Sequence, residues 1–211
     1  MAERHLRESP MIYVNMNEIA FDANSVVFPG LGNCHGVVYQ TNVGLFALHI
    51  YGGDQNTPNK APFFADFVHH HRLGATSVGQ CLYGVCPANR FIGGAAAQKV
   101  ELAVCAGALG FAGTIRGAMW DTGHLGWGTT YAECTLAGGA VQVRIENFTG
   151  APIAIGGNAS QLDHKIISMV IPPGFGFQPM ISGSLKPPAT VVTGVTRIPG
   201  TPNIIIPTAV L

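Results

Sequence analysis

The sequence predicts a mixed α/β (α+β) fold, a single-domain and mostly antiparallel β-sandwich with two main helices. Short runs rich in Val, Ile, Thr and aromatic residues recur along the chain, cut by 28 glycines and 14 prolines. That is the pattern of many short strands joined by turns. Two segments, one starting near Pro62 and one near Ala96, carry helical spacing instead. With 47% of its 211 residues hydrophobic and no low-complexity linker, the chain can bury one full core. Residues 1–211 therefore read as one domain, with 147–211 its β-rich C-terminal part.

A polar arm precedes a first strand at Met11–Val14. Ser25–Phe28 is a short apolar strand ending at Pro29, and a turn around Gly30 and Gly32 follows directly. Val37–Gln40 and Leu45–Ile50, separated by Thr41–Gly44, read as antiparallel strands around a tight turn. Gly52–Lys60 reads as a loop. Pro62 suits the first turn of a helix running to about Leu73, with Phe64, Phe67, Val68 and His71 on one face and Gly74 as its stop. Val78–Cys86 is strand-like, and Arg90–Ala95 leads into a helix over Ala96–Leu109. Lys99 and Glu101 are the only charges of that helix, so nearly all of it should be buried. Beyond Thr114 the sequence turns to strands: Ile115–Trp120, Thr129–Leu136 and Ala140–Glu146, the last alternating as Val141, Val143, Ile145. The final third, from Ile153, intersperses strand-like segments such as Ile166–Ile171 with Pro and Gly.

Charged residues make up 10% of the chain, against roughly 25% in an average soluble protein. Its 11 basic residues balance 11 acidic ones. Nucleic acid is not an expected partner, because phosphate binding needs a clustered excess of Lys and Arg. The stretch Met1 to Glu8 is charged and lacks the apolar centre of a classical secretory signal, so the expected place of synthesis is the cytoplasm. Leu102–Ile115 is too short and too broken by glycine to cross a bilayer, so no membrane span is expected. Of the five cysteines, Cys81, Cys86, Cys105 and Cys134 read as small core residues that need not pair.

One stretch stands apart: Gly30-Leu31-Gly32-Asn33-Cys34-His35-Gly36, with His49 fifteen positions beyond Cys34. A cysteine on a glycine-flanked turn at a strand end, with a lone histidine on the following hairpin, is a simple way to assemble a thiol nucleophile and its base. The glycines let a substrate approach the backbone closely and leave main-chain N–H groups to face an oxyanion. A thiolate stabilised by His49 would alkylate faster than the other four cysteines at mildly acidic pH. The bland alternatives are a buried core cysteine and a satisfied strand histidine.

Other signatures fail on context. Gly30-x-Gly32-x-x-x-Gly36 is like a dinucleotide fingerprint, but strand and turn follow it where a helix N-terminus is required. There is no Walker loop, no Gly-x-Ser-x-Gly, no His-Glu-x-x-His and no pair of Cys-x-x-Cys units. His69, His70 and His71 follow one another on a helix, where successive side chains point about 100° apart and cannot converge on one ion. His70 is expected to pair with Asp66 one turn earlier. Asp121/His124 and Asp163/His164 read as polar loop pairs. No metal or cofactor site is expected.

Gly30-Leu-Gly-Asn-Cys34 followed by His49 resembles the Gly-Leu-Gly-Ser-Cys…His signature of the chemoreceptor glutamine deamidase CheD. The cysteine-to-histidine spacing is similar to that of the cytotoxic necrotizing factor catalytic domain, and the Burkholderia lethal factor, with a Leu-Ser-Gly-Cys motif, belongs to the same group. Phe91-Ile-Gly-Gly-Ala95 is similar to a Phe-Gly-Gly-Ala segment of CheD. The resemblance covers residues 28–120 and implies a cysteine-dependent protein-glutamine deamidase without a cofactor. In that reading Cys34 attacks the carboxamide, His49 carries the proton, and main-chain groups at Phe28, Gly32 and Asn33 orient the histidine or hold the oxyanion. CheD and the Burkholderia factor have a Thr six residues before the cysteine that helps orient the histidine, whereas this chain has Phe28, and Asn33 replaces a Ser or Gly. The necrotizing factor uses a main-chain carbonyl, which implies a main-chain partner for His49. The β-like extension beyond the matching region favours an effector or toxin, secreted into a host cell and acting on a GTPase or translation factor there, over a chemotaxis enzyme.

Two readings from other classes remain. A non-enzymatic, β-rich binding or structural protein suits the low charge and the proline-punctuated C-terminus. A cysteine peptidase or transglutaminase would need a side chain such as Asp54, Gln55 or Asn33 on His49.

Overall fold

The computed structural model describes residues 12–16, 18–51, 57–70, 78–121, 129–149, 153–156, 189–193, 196–197 and 204–211. In chain order they form β1 (Ile12–Tyr13), β2 (Ile19–Asp22), β3 (Ser25–Phe28), β4 (His35–Thr41), β5 (Gly44–Ile50) and helix α1 (Thr57–His70). Next come β6 (Gly79–Pro87), helix α2 (Gly94–Leu109), β7 (Thr114–Trp120), β8 (Thr129–Ala137) and β9 (Ala140–Thr149). Short strands β10 (Ile153–Gly156), β11 (Ala189–Thr193), β12 (Thr196–Arg197), β13 (Ile204–Ile206) and β14 (Ala209–Val210) complete the series.

These elements make the mixed α/β architecture the sequence predicts. One sheet runs β14-β7-β6-β4-β5-β2. The other runs β1-β3-β8-β9-β12, with β13 also on β9, and β10 pairs with β11 apart from both. Pairs β1–β3 and β6–β7 are parallel, and the other described pairs are antiparallel.

Side chains alternate along a strand, so the β4–β5 hairpin serves two cores, and both of its strands are buried from end to end. Val38, Ala47, Tyr83 and Val85 face Val26, Phe28, Ala132 and Val143 of the other sheet. Val37, Leu48 and Leu82 face outward, where α1 and α2 cover them with Phe64, Phe67, Leu102 and Cys105. The molecule is thus layered helix, sheet, sheet.

Three expectations are corrected. Helix α1 begins at Thr57, so the first-turn proline is Pro58 and Pro62 lies inside the helix. Residues 57–60, read as loop, are its first turn. Helix α2 is not buried all round: Gln98, Leu102, Cys105, Ala106 and Leu109 form one buried stripe, while Ala95, Ala96, Lys99, Val100, Ala103 and Gly107 are exposed. The 98/102/105/109 spacing is a single helical face, and most of the rest is small enough to sit in water at little cost. The expected helix end at Leu73 and Gly74, and the segment Ile166–Ile171, lie outside the described residues. Among the described residues no helix is long and apolar enough to cross a membrane.

The C-terminal segment spans both sheets. β13 pairs with β9 in one and β14 with β7 in the other. Between them Arg116 donates from Nε to Thr208 Oγ1 at 3.0 Å and from Nη2 to the Thr208 carbonyl at 2.9 Å.

Candidate active site

Cys34 follows the turn after β3, where Gly30 takes a left-handed φ of 78° that glycine adopts at least cost. Leu31 N–H donates to the Thr130 carbonyl of β8 at 2.8 Å, and Gly32 N–H donates to the Gly30 carbonyl at 2.8 Å. The expectation of Gly32 as an oxyanion donor is therefore corrected, because its N–H is spent inside the turn. Asn33 is exposed, and among the described residues its N–H has no partner.

His49 stands on β5 directly opposite Gly36 of β4. Alternation puts Cys34, two residues before Gly36, on the same face and diagonal to His49, a relation that separates Cα atoms by about 7–8 Å. That face is the layer between the sheets, in which Cys34 is 3% exposed and His49 fully buried. Gly36 makes the arrangement possible: a Cβ there would lie 2.8 Å from Phe28 Cδ2 and 2.8 Å from Val85 Cγ2. Without one, the Phe28 ring sits under β4 and meets the His49 ring edge to face, with centroids 5.6 Å apart at 88°. Phe28 thus acts on His49 through its ring, which corrects its expected role as the orienting main-chain group.

The main-chain partner of His49 is Val14, just beyond β1. Nδ1–H donates to the Val14 carbonyl at 2.7 Å, which fixes the tautomer and leaves the lone pair on Nε2. Nε2 is buried and among the described residues makes no hydrogen bond, so none joins it to Cys34 Sγ. Burial drives the His49 pKa from 6.5 down to about 4, the Val14 bond working against this and the charges of His35 and Lys60 adding to it. The ring is a neutral acceptor. The expected resting thiolate paired with an imidazolium is corrected accordingly, since at mildly acidic pH the ring carries no proton to stabilise a thiolate. No described side chain bonds His49 as the third member of a triad; Asp54 and Gln55 lie outside the described residues.

On the opposite face of β4 lies a polar cluster the sequence did not announce. Buried His35 donates from Nδ1 to Glu101 Oε1 at 3.1 Å, and Arg90 donates from Nη2 to Glu101 Oε2 at 2.8 Å. The Gln98 amide nitrogen donates to His35 Nε2 and to Cys86 Sγ, each at 3.3 Å. The His35 ring also meets Phe91 edge on at 5.1 Å, and the Arg90 guanidinium lies 4.7 Å from the centre of that ring. Burial lowers the His35 pKa against the pull of Glu101. Burial alone would raise Glu101, but the His35 bond, with Arg90, holds its carboxyl below the usual range. The available signal was a lone acid on an otherwise almost uncharged helix.

The five cysteines are buried and form no disulfide. Burial pushes the Cys86 and Cys105 thiols up to about 12 and raises Cys134 as well, so these are inert core residues. His69 is exposed on the last turn of α1. The side chain of His70, with its expected Asp66 pairing, and residues His71, His124, Asp163 and His164 lie outside the described residues. Among the described residues no three His, Cys, Asp or Glu side chains gather as a metal site would require. No protein-family model matches the chain, and no curated protein matches it.

Proposed function

We propose that the chain is a cysteine-dependent protein-glutamine deamidase, with Cys34 as nucleophile and His49 as its base. The observation that carries this reading is the state of His49: Nδ1 is tied to a main-chain carbonyl, Nε2 makes no hydrogen bond among the described residues, and the strand register puts His49 on the same face as Cys34. Cys34 sulfur attacks the carboxamide carbon as His49 Nε2 takes the thiol proton. The tetrahedral oxyanion faces the Asn33 N–H, because the Leu31 N–H is committed to the Thr130 carbonyl and the Gly32 N–H to the Gly30 carbonyl. His49 returns the proton to the departing ammonia, leaving a thioester. Water activated by the same nitrogen then releases glutamate and restores the thiol. With Cys34 almost covered, the substrate group has to be slender, as a glutamine side chain is. A regulatory protein of a host cell, such as a GTPase or translation factor, is the proposed target, since one new negative charge there acts as a switch.

A main-chain orienting group supports this reading over a cysteine peptidase or transglutaminase with a side-chain triad. The near-complete burial of Cys34 favours a second reading, a β-rich structural or binding protein in which the thiol only packs. Incubation with candidate target proteins, followed by intact-mass and peptide analysis, separates the two. The expected result is one glutamine converted to glutamate by the wild type and none by Cys34→Ser or His49→Ala, since members of a unit fail together. Conversion that persists in Cys34→Ser overturns the assignment.

A further inference from the structure

The peptide group between Val14 and Asn15 is held at both ends. Its carbonyl accepts the His49 Nδ1–H at 2.7 Å, and its N–H donates to Glu18 Oε2 at 2.9 Å. Glu18 is itself 4% exposed. Two further bonds close the loop: Glu18 N–H donates to the Asn15 carbonyl at 3.0 Å, and His49 N–H donates to the Glu18 carbonyl at 3.1 Å. A carboxylate that accepts from a peptide N–H draws the proton toward itself and makes the carbonyl of the same peptide a stronger acceptor.

We propose that Glu18 is a positioning residue for His49, acting through the Val14–Asn15 peptide as the carboxylate of a catalytic triad acts by direct contact. The inference rests on His49 being the base of the proposed reaction, but the coupling itself does not require that reaction. Glu18 fixes the plane of the peptide and hence the direction of the imidazole. It also strengthens the bond that must grow when Nε2 takes a proton and Nδ1–H becomes more acidic. The charges of His35 and Lys60 also act on His49.

The test is nuclear magnetic resonance of the full chain at neutral pH, following the His49 Nδ1–H proton and the Asn15 amide. Glu18→Gln keeps an oxygen for the Asn15 N–H and removes the charge. It should move the Nδ1–H resonance upfield, while Glu18→Ala should move it further. Glu18→Asp, which keeps the charge on a side chain one methylene shorter, should shift the resonance less than Glu18→Ala and supplies a second variant if one does not fold. Where deamidation is measured, Glu18→Gln should lower kcat by on the order of tenfold with KM little changed. A Nδ1–H resonance indifferent to Glu18→Gln and to Glu18→Ala at neutral pH overturns the proposal. A resonance that moves on Glu18→Gln, with no deamidation of any target, would leave Glu18 coupled to His49 and sink the deamidase reading alone.

Discussion

Gly36 is the residue on which the packing of His49 depends, because it opens the space the Phe28 ring fills. Gly36→Ala should destabilise the fold by about 1–3 kcal/mol through overpacking, measured by urea unfolding. In the background of Phe28→Leu the same change should cost less, since the two sites share one volume and are coupled. Phe28→Leu alone should keep most activity, losing mainly the ring pair, worth about 0.5–1.5 kcal/mol. A full additive cost in the double variant would mean that the Phe28 ring is not what Gly36 accommodates. Much of this was legible in the sequence: the glycine turn, the cysteine at a strand end and the histidine across a hairpin all announce themselves by residue type. Val14 did not, because a carbonyl acceptor is common to every residue and leaves no trace in the sequence. Glu18 gave only a weak sign, an acid three residues after Asn15.

At the scale of elements, the His35, Arg90 and Glu101 cluster ties the start of β4 to α2 and to the 3-10 turn Ala88–Arg90. It grips His35, the residue next to Cys34, from the helix side of the sheet, so β4 is held on both faces. Removing Glu101 leaves a guanidinium and an imidazole in a site where the carboxylate is 12% exposed. Glu101→Ala should therefore cost about 3 kcal/mol, and Glu101→Gln less, since an amide oxygen still accepts one of the two bonds. Equal urea midpoints for wild type and Glu101→Ala would show that the cluster contributes nothing. Element boundaries were legible where alternation and turn chemistry agree, as in the β4–β5 hairpin and β7 to β9. They failed at α1, where Pro58 and Pro62 both satisfy the first-turn rule and only packing decides between them. At α2 it was the burial that misled, since several of its small residues, such as Ala95, Ala96, Ala103 and Gly107, read as core yet sit in water. The parallel pairing of β6 with β7 across α2 was not legible either, because strand order depends on contacts far apart in sequence.

For the molecule as a whole, two buried histidines on opposite faces of one hairpin set how the fold responds to acid. The His49 pKa falls from 6.5 in an open chain to about 4 in the folded one, and that of His35 is lowered too. Between those limits the unfolded chain binds protons that the folded chain refuses, so stability rises with pH across that window. Above pH 6.5 both states carry neutral rings and the histidines add no slope. As pH falls toward 4 the unfolded state gains ground. Below that, the Glu101 carboxyl, held under its usual range by His35 and Arg90, protonates and its contribution is lost as well. The urea midpoint should accordingly be lower at pH 5 than at pH 7.5. In His49→Gln the difference should shrink, because one of the two protons taken up on unfolding is gone. A pH dependence identical in wild type and His49→Gln would mean that the folded chain protonates this ring as readily as water does. His49 could not then be the neutral, dry acceptor that the proposed proton transfer from Cys34 requires.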